Sequence, residues 1–212
     1  MHIKKLMGIV VAVFLIITGI QKAMAIEEAS YVVTMKENKF EVREYAPHIV
    51  ATTLVEGNME QVSNKAFMKL FRYISGSNVS RRKVAMTAPV SQQPIGEKIQ
   101  MTAPVEQQRA ANKWIISFMM PKAYTLDMLP QPEDASITLR QFPAQRMAVV
   151  RYSGTWSEKN YLSHELKLIE WMNTKGLTPI GNAIWARYNP PFTPWFLRRN
   201  EIMIPINVIV ND

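Results

Sequence analysis

The residues that most often perform catalysis in proteins are scarce in this sequence and poorly placed. The 212 residues include three histidines and no cysteine. Ser163 and His164 are neighbours on a predicted helix, where adjacent side chains face different sides, so they do not suggest a catalytic pair. Glu133 and Asp134 fall in a predicted loop, where we expect both to be solvated. No zinc-protease, nucleophile-elbow or phosphate-binding motif occurs. The sequence therefore predicts a protein that is not an enzyme.

Metal and disulfide chemistry is restricted in the same way. A chain without cysteine has no disulfide, no thiolate ligand and no iron–sulfur cluster. Beyond residue 25 only His48 and His164 remain, and their positions fit no metal-binding motif. A ligand site in this molecule has to rely on shape, apolar contact and charge.

The N-terminal residues are typical of a secretory signal peptide. Residues 1–25 combine a basic start, an uncharged run at 6–20 and the ending Ala-Met-Ala. The run of 15 residues is shorter than the ~20 that a spanning helix needs, although an uncleaved anchor is the alternative. Cleavage after Ala25 removes three of the 25 Lys and Arg and none of the 17 Asp and Glu, so the net charge falls from +8 to +5. We expect an exported protein, periplasmic or secreted, without a stable membrane span.

Nucleic acid is not an expected partner. Beyond residue 25 the basic residues are scattered, with adjacent ones only at 81–83 and 198–199. No nucleic-acid-binding motif or basic stripe with interleaved aromatic residues is present.

The remaining residues, 26–212, contain a two-fold repeat of elements and are predicted to form one domain. A β-branched run at 49–55 leads through Gly57 into a helical pattern at 58–75, which ends at Gly76. A second strand at 147–152 leads through Gly154 into a second helix, capped by Ser157 or Thr155 and ended by Gly176. The apolar positions of the two helices are Val62, Ala66, Phe67, Leu70, Phe71 and Ile74 in the first, and Tyr161, Leu162, Leu166, Ile169 and Met172 in the second.

Other segments predict strands around these helices. A hairpin is expected at 31–35 and 40–45, and further strands at 84–90, 99–105, 114–120, 136–141, 178–188 and 201–210. This arrangement favours an α+β fold with a curved, largely antiparallel sheet and one helix in each half.

A short motif, Met-Thr-Ala-Pro-Val, occurs twice, at 86–90 and again at 101–105. Two near-identical segments suggest paired strands, each with its proline at a strand end, edge or bulge, because proline has no N–H to donate. Methionine in these segments is expected to fill the core rather than bind iron.

Seven further segments form a recognisable set in chain order: FEVREY at 40–45, YISGSN at 73–78, MTAPV at 86–90, WIISF at 114–118, VVRYSG at 149–154, ARYNPPF at 186–192 and RNE at 199–201. Together they resemble the SOUL haem-binding protein family, from about residue 30 to 206. The resemblance implies a distorted antiparallel β-barrel of two pseudo-symmetric halves, each with one amphipathic helix. It also implies binding of haem or another tetrapyrrole rather than catalysis. The same architecture resembles effector-binding domains of bacterial multidrug-responsive regulators, so the fold alone does not choose the ligand.

Haem is a large apolar plate with two carboxylates at one edge, so it needs apolar surface and basic side chains. The segment at 188–199 offers this combination on a backbone that three prolines stiffen. Its candidate ligand-binding residues are Tyr188, Phe192, Trp195, Phe196 and Arg198, followed by Arg199. The alternative is that these rings only plug an end of the barrel.

The resemblance places the ligand between this segment and the end of the first helix. The matching residues there are Leu70, Phe71 and Arg72, with Phe71 offering an apolar face and Arg72 a cation. Core packing for Phe71 and a solvated helix face for Arg72 are the alternatives.

His48 is the candidate axial ligand of the haem iron, and His164 is a weaker one. Neither lies in a haem-ligand motif. We therefore predict binding through the porphyrin faces and propionates, with weak or absent ligation.

The sequence thus predicts an exported haem-binding protein that acts as a carrier, buffer or scavenger. One alternative is a binding module for other bulky apolar or amphipathic ligands. Another is a non-enzymatic envelope protein that contacts partners through Trp195 and Phe196.

Overall fold

The computed structural model describes residues 26–80 and 96–207. The predicted signal peptide at 1–25, the first copy of the short motif with its strand at 84–90, and residues 208–212 lie outside the described residues.

The described residues form eleven strands, two α-helices and one short 3-10 helix. In chain order they are β1 (Tyr31–Glu37), β2 (Phe40–Tyr45), β3 (His48–Glu56), α1 (Met59–Ile74), β4 (Asn78–Val79), β5 (Val105–Ala110), β6 (Lys113–Met119), β7 (Gln131–Pro132), β8 (Ile137–Phe142), β9 (Gln145–Tyr152), α2 (Glu158–Thr174), β10 (Ile184–Arg187), the 3-10 helix (Trp195–Leu197) and β11 (Asn200–Pro205). Nine strands form one antiparallel sheet in the order β1-β2-β9-β11-β10-β5-β6-β3-β8, and β4 pairs with β7. The predicted α+β class is confirmed, with the sheet curled into a half-barrel.

The order of the strands is symmetric about the boundary between β10 and β5. One half of the chain supplies β2, β3, α1, β5 and β6, and the other supplies β8, β9, α2, β10 and β11 in the same sequence of elements. The first strand of each half is exchanged, since β2 pairs with β9 and β8 pairs with β3. The two halves are therefore interleaved in one sheet.

Glycines connect strand to helix at corresponding places in the two halves. Gly57 and Gly154 have φ angles of +132° and +145°, a conformation that side chains disfavour. A Cβ atom on Gly154 would also lie 2.7 Å from Nδ2 of Asn160. Gly76 and Gly176 follow the helices, so the predicted repeat of strand, glycine, helix and glycine is confirmed.

Each helix packs on the central strands of its own half. Helix α1 covers β3 and β6, α2 covers β9 and β11, and buried residues from both belong to one hydrophobic core. Neither helix in the described part of the chain is long and apolar enough to cross a membrane.

The apolar face that we predicted for α2 is partly wrong. Leu162 and Leu166 are exposed, whereas Tyr161, Leu168 and Met172 are buried. At roughly 100° per residue, the two exposed leucines lie about 100° and about 140° around the helix from its buried side. Of the two proposed caps, Ser157 is the one that accepts the Asn160 N–H.

The predicted strand at 99–105 is wrong except for its last residue, because β5 begins only at Val105. Pro104 has no N–H for a sheet, and separate hydrogen bonds hold the segment instead. The N–H of Ile99 donates to the Ile74 carbonyl at 2.8 Å and the N–H of Ala103 to that of Glu27 at 2.9 Å.

The other predicted strands within the described residues are present with shifted ends. The predicted hairpin is β1 and β2, and the run at 49–55 is β3. The strands at 114–120, 136–141 and 147–152 are β6, β8 and β9. Of the strand predicted at 178–188, only residues 184–187 form one, which is β10. The strand predicted at 201–210 is β11, which ends at Pro205.

Candidate functional site

Segment 188–199 presents its apolar side chains to solvent. Phe192 is 85% exposed, Trp195 and Phe196 are each 59% exposed, and Leu197 is 64% exposed. The Gly154 N–H donates to the Trp195 carbonyl at 3.0 Å and fixes the segment to the start of α2. Because these rings are exposed, they do not plug the sheet, and they form an apolar surface beside it.

Arg198 closes this segment on itself. Its Nε donates to the Thr193 carbonyl at 2.7 Å, and its Nη2 to that of Pro191 at 2.8 Å. Its guanidinium carbon lies 4.1 Å from the centre of the Trp156 ring. Two donors of the arginine that we predicted to bind a propionate are therefore used to shape the loop.

A cavity of about 370 Å³ lies between this segment, the β1–β2 turn and the end of β9. Five of its ten lining residues are basic and one is acidic. They are Lys36, Asn38, Lys39, Glu41, Arg151, Tyr152, Ser153, Leu197, Arg198 and Arg199. An excess of cations beside exposed rings suits an apolar ligand with an anionic edge.

The cations of the cavity differ in their partners. Lys36 pairs with Glu41 at 2.8 Å, and Arg199 with Glu28 and Glu201. Lys39 and Arg151 make no ion pair with any described residue. The Arg151 N–H donates to the Lys39 carbonyl at 3.0 Å, which brings these two residues together. They are the cations best able to bind an anion here.

Tyr188 belongs to a buried ion network below this cavity. Glu201, fully buried, accepts from Arg43 at 2.7 Å, from Arg199 at 3.0 Å and from the Tyr188 hydroxyl at 2.8 Å. Burial alone would raise the pKa of Glu201, but the two guanidinium groups hold it below its usual value. Burial raises the pKa of Tyr188, which stays protonated. The network ties β2 to β11.

A second, partly buried chain of hydrogen bonds links the two helices. Arg187 donates to Tyr161 of α2 at 2.7 Å and to Gln107 at 2.6 Å. Gln107 in turn donates to Ser63 of α1. The guanidinium of Arg187 lies 4.9 Å from the Trp156 ring centre, so this link ends beneath the aromatic segment.

The predicted site residues of α1 are not brought to that segment. Leu70 is fully buried in the core, Phe71 stacks on Phe67 with ring centres 5.9 Å apart, and Arg72 is exposed. Within the described parts of the chain, no hydrogen bond, ion pair or ring contact joins these residues to 188–199.

His48 lies apart from the basic cavity. Its ring stacks on Phe142 with centres 5.8 Å apart, and its Nδ1 lies 3.0 Å from the Ala46 carbonyl oxygen. It borders two other cavities, one of about 290 Å³. Among the residues that the structure describes, no group of three His, Asp or Glu could hold a metal ion.

Sequence reasoning missed Lys39 and Arg151. Lys39 occupies a predicted turn, and Arg151 lies in the quoted segment at 149–154, so both were visible as residues but not as neighbours. They meet because β2 pairs with β9, with Phe40 opposite Val150. Only knowledge of this strand pairing would have shown that the two residues are neighbours.

Sequence reasoning also missed Glu106, a carboxylate on the sheet face opposite the helices. Burial raises its pKa to about 7. It lines an apolar cavity that also includes Tyr45, Phe142, Met147, Ile184, Tyr188 and Met203.

Comparison with known proteins identifies relatives over most of the chain. The family model described as SOUL heme-binding protein matches residues 26–205. Heme-binding protein 1 of Xenopus tropicalis is 26% identical over 166 residues, which cover 77% of this chain and 81% of that protein. Heme-binding protein 1 of Xenopus laevis is 26% identical over 164 residues, with the same coverage of 77% and 81%.

Solved structures share the fold at low sequence identity. A hydrolase from Listeria innocua has a TM-score of 0.56 and 14% identity, covering 82% of this chain and 94% of its own. The EcmrR C-terminal domain has a TM-score of 0.57 and 11% identity, covering 80% and 98%. At these identities the likeness concerns the fold alone.

Proposed function

Because the chain belongs to the SOUL heme-binding protein family, we propose that it binds haem in the cleft between segment 188–199, the β1–β2 turn and the end of β9. The family membership agrees with the resemblance stated from the sequence and with haem as the expected ligand. The observation that carries the proposed site is the cluster of exposed rings beside a cavity with five basic residues.

The residues of the cleft fit the chemistry of haem. Phe192, Trp195 and Phe196 supply exposed aromatic surface that contact with a porphyrin face would remove from water. Lys39 and Arg151 supply cations for the two propionates, since no described carboxylate neutralises them. The haem supplies the iron, and the protein supplies the apolar wall and the charge.

We propose binding rather than catalysis as the function. In the described structure no hydrogen bond joins Ser163 to His164, whose ring instead stacks on Tyr152. The open position of the aromatic segment suits a protein that takes up and releases its ligand, as a carrier, buffer or scavenger does.

Export remains part of the proposal. It is supported by the signal-like composition of residues 1–25 and by the family match, which begins at residue 26. Mass spectrometry of the protein purified from its own cells should find Ile26 at the N-terminus. An intact Met1 in the mature protein would contradict a cleaved signal.

The proposed site is tested by titrating the protein with hemin. Replacing both Lys39 and Arg151 by alanine removes two charge-assisted contacts, so the Kd for hemin should rise on the order of tenfold to a hundredfold. The matched control replaces Lys113 and Arg140, two basic residues that do not line the cavity. Equal hemin affinity of the two double variants would overturn this site.

A further inference from the structure

Segment 188–199 carries a cluster of exposed apolar side chains, which we call the aromatic tip (Phe192, Trp195, Phe196 and Leu197). Phe192 is 85% exposed, and the other three are each exposed over more than half of their surface. Trp195 and Phe196 contact each other edge to face, with ring centres 5.6 Å apart. Contiguous apolar surface of this kind marks a contact with a partner or a membrane.

Uncompensated cations lie beside the aromatic tip. Leu197 lines the same cavity as Lys39 and Arg151, which are both exposed and pair with no carboxylate of the described chain. The acidic residue of that cavity, Glu41, is already paired with Arg43 at 2.7 Å. A partner that complements this surface therefore presents negative charge throughout, rather than a mosaic of both signs.

The backbone of the aromatic tip supplies its own hydrogen bonds. Hydrogen bonds from within the protein are accepted by five carbonyls, those of Pro190, Pro191, Thr193, Pro194 and Trp195. The three prolines of this stretch have no N–H that needs a partner. These carbonyls can therefore leave water without the cost of an unpaired polar group. Backbone at a lipid surface has to meet this condition, because acyl chains offer no hydrogen bonds.

We propose that the aromatic tip and the cations beside it bind the surface of a lipid bilayer that contains anionic lipids. The rings enter the boundary between headgroups and acyl chains, and Lys39 and Arg151 contact lipid phosphates. A fluid bilayer adapts to the shape of the tip, whereas a folded partner needs a matching pocket. The proposal goes beyond the proposed function, because it does not require haem and gives the same rings a second apolar partner. It also places the proposed haem cleft beside the lipid surface.

Co-sedimentation of the haem-free protein with lipid vesicles tests the proposal. The vesicles consist of phosphatidylcholine alone or of phosphatidylcholine mixed with anionic phosphatidylglycerol. Replacing both Trp195 and Phe196 by alanine should weaken binding to the mixed vesicles on the order of tenfold or more. Replacing both Lys39 and Arg151 by alanine should weaken it about tenfold or more, and should have little effect on vesicles of phosphatidylcholine alone.

The matched control replaces Leu162 and Leu166 by alanine. Both leucines are exposed on α2, and neither lines the basic cavity. This double variant should therefore bind the mixed vesicles as the unchanged protein does. Circular dichroism checks that all three double variants are folded.

The emission of Trp195 reports insertion directly. Trp114, Trp171 and Trp185 are buried and Trp156 is partly buried, whereas Trp195 is exposed. Phospholipids with brominated acyl chains should therefore quench the emission of Trp195. Trp195→Phe keeps an apolar ring, so it should bind the mixed vesicles within about threefold of the unchanged protein but lose this quenching.

Three results would overturn the proposal. The first is that the unchanged protein does not bind the mixed vesicles, and the second is that the variant without Trp195 and Phe196 binds them equally well. The third is a dimer in solution that these two alanines dissociate, without any vesicle binding, which would assign the aromatic tip to a second copy of the chain. Because these experiments contain no haem, their failure leaves the proposed function standing, and failure of the hemin titration leaves the bilayer contact standing.

Discussion

Glu201 is a fully buried carboxylate held between Arg43 and Arg199, and it illustrates how single residues hold this sheet together. Removing one partner of a buried pair leaves the other charge without compensation. We expect Glu201→Gln to lower the free energy of unfolding by about 3 kcal/mol, measured by urea denaturation.

The control for this variant is an exposed pair. Glu158 and Arg109 form an ion pair with both side chains about half exposed, so Glu158→Gln should cost less than about 1 kcal/mol. Similar unfolding midpoints for the two variants would show that the buried network contributes no more than a surface pair.

The raised pKa of Glu106 predicts that the stability of the protein depends on pH. Its pKa in the folded protein is about 7, above the 4.5 of an exposed glutamate. A raised carboxyl pKa means that the folded state binds the proton more tightly, so its contribution to stability is lost as pH rises from about 4.5 through 7. The free energy of unfolding of Glu106→Gln, taken relative to that of the unchanged protein, should therefore rise by about 2 kcal/mol between pH 5 and pH 8.

Thermal unfolding at both pH values measures this difference. The comparison is made between the two proteins at each pH, which cancels the titration of the other groups. A constant difference between the variant and the unchanged protein would contradict a raised pKa.

At the scale of elements, α2 buries one leucine and exposes another that lies two positions away. Leu168 is fully buried against the core and Leu166 is 62% exposed. Leu168→Ala should cost about 3 kcal/mol because it leaves a cavity, whereas Leu166→Ala should change stability by less than about 0.5 kcal/mol. Urea denaturation of both variants checks this. Equal losses would mean that the helix is rotated from the orientation described here.

The elements themselves were largely predictable from the sequence. A period-two pattern located β2, a largely apolar run before Gly154 located β9, and glycines marked the ends of both helices. The face of α2 was mistaken because apolar residues such as Leu162 occur on its solvent side as well. The segment at 99–105 was mistaken because its composition suits a strand, while Pro104 and contacts to Glu27 and Ile74 decide its path.

At the scale of the whole molecule, the candidate cleft depends on the exchange of strands between the halves. Lys39 comes from the first half, and Arg151 and segment 188–199 come from the second. They meet because β2 lies against β9 rather than against a strand of its own half. The rings of the site and Arg198 could be predicted from one segment, but Lys39 and Arg151 could not, because their proximity depends on this long-range pairing.

The position of the iron is the most direct test of the account. Crystals of the hemin complex, measured at the iron absorption edge, locate this atom without reference to any variant. The account predicts an anomalous peak in the cleft between segment 188–199, the β1–β2 turn and the end of β9, on the side of Lys39 and Arg151. A peak beside His48, or beside Phe71 and Arg72, would contradict it.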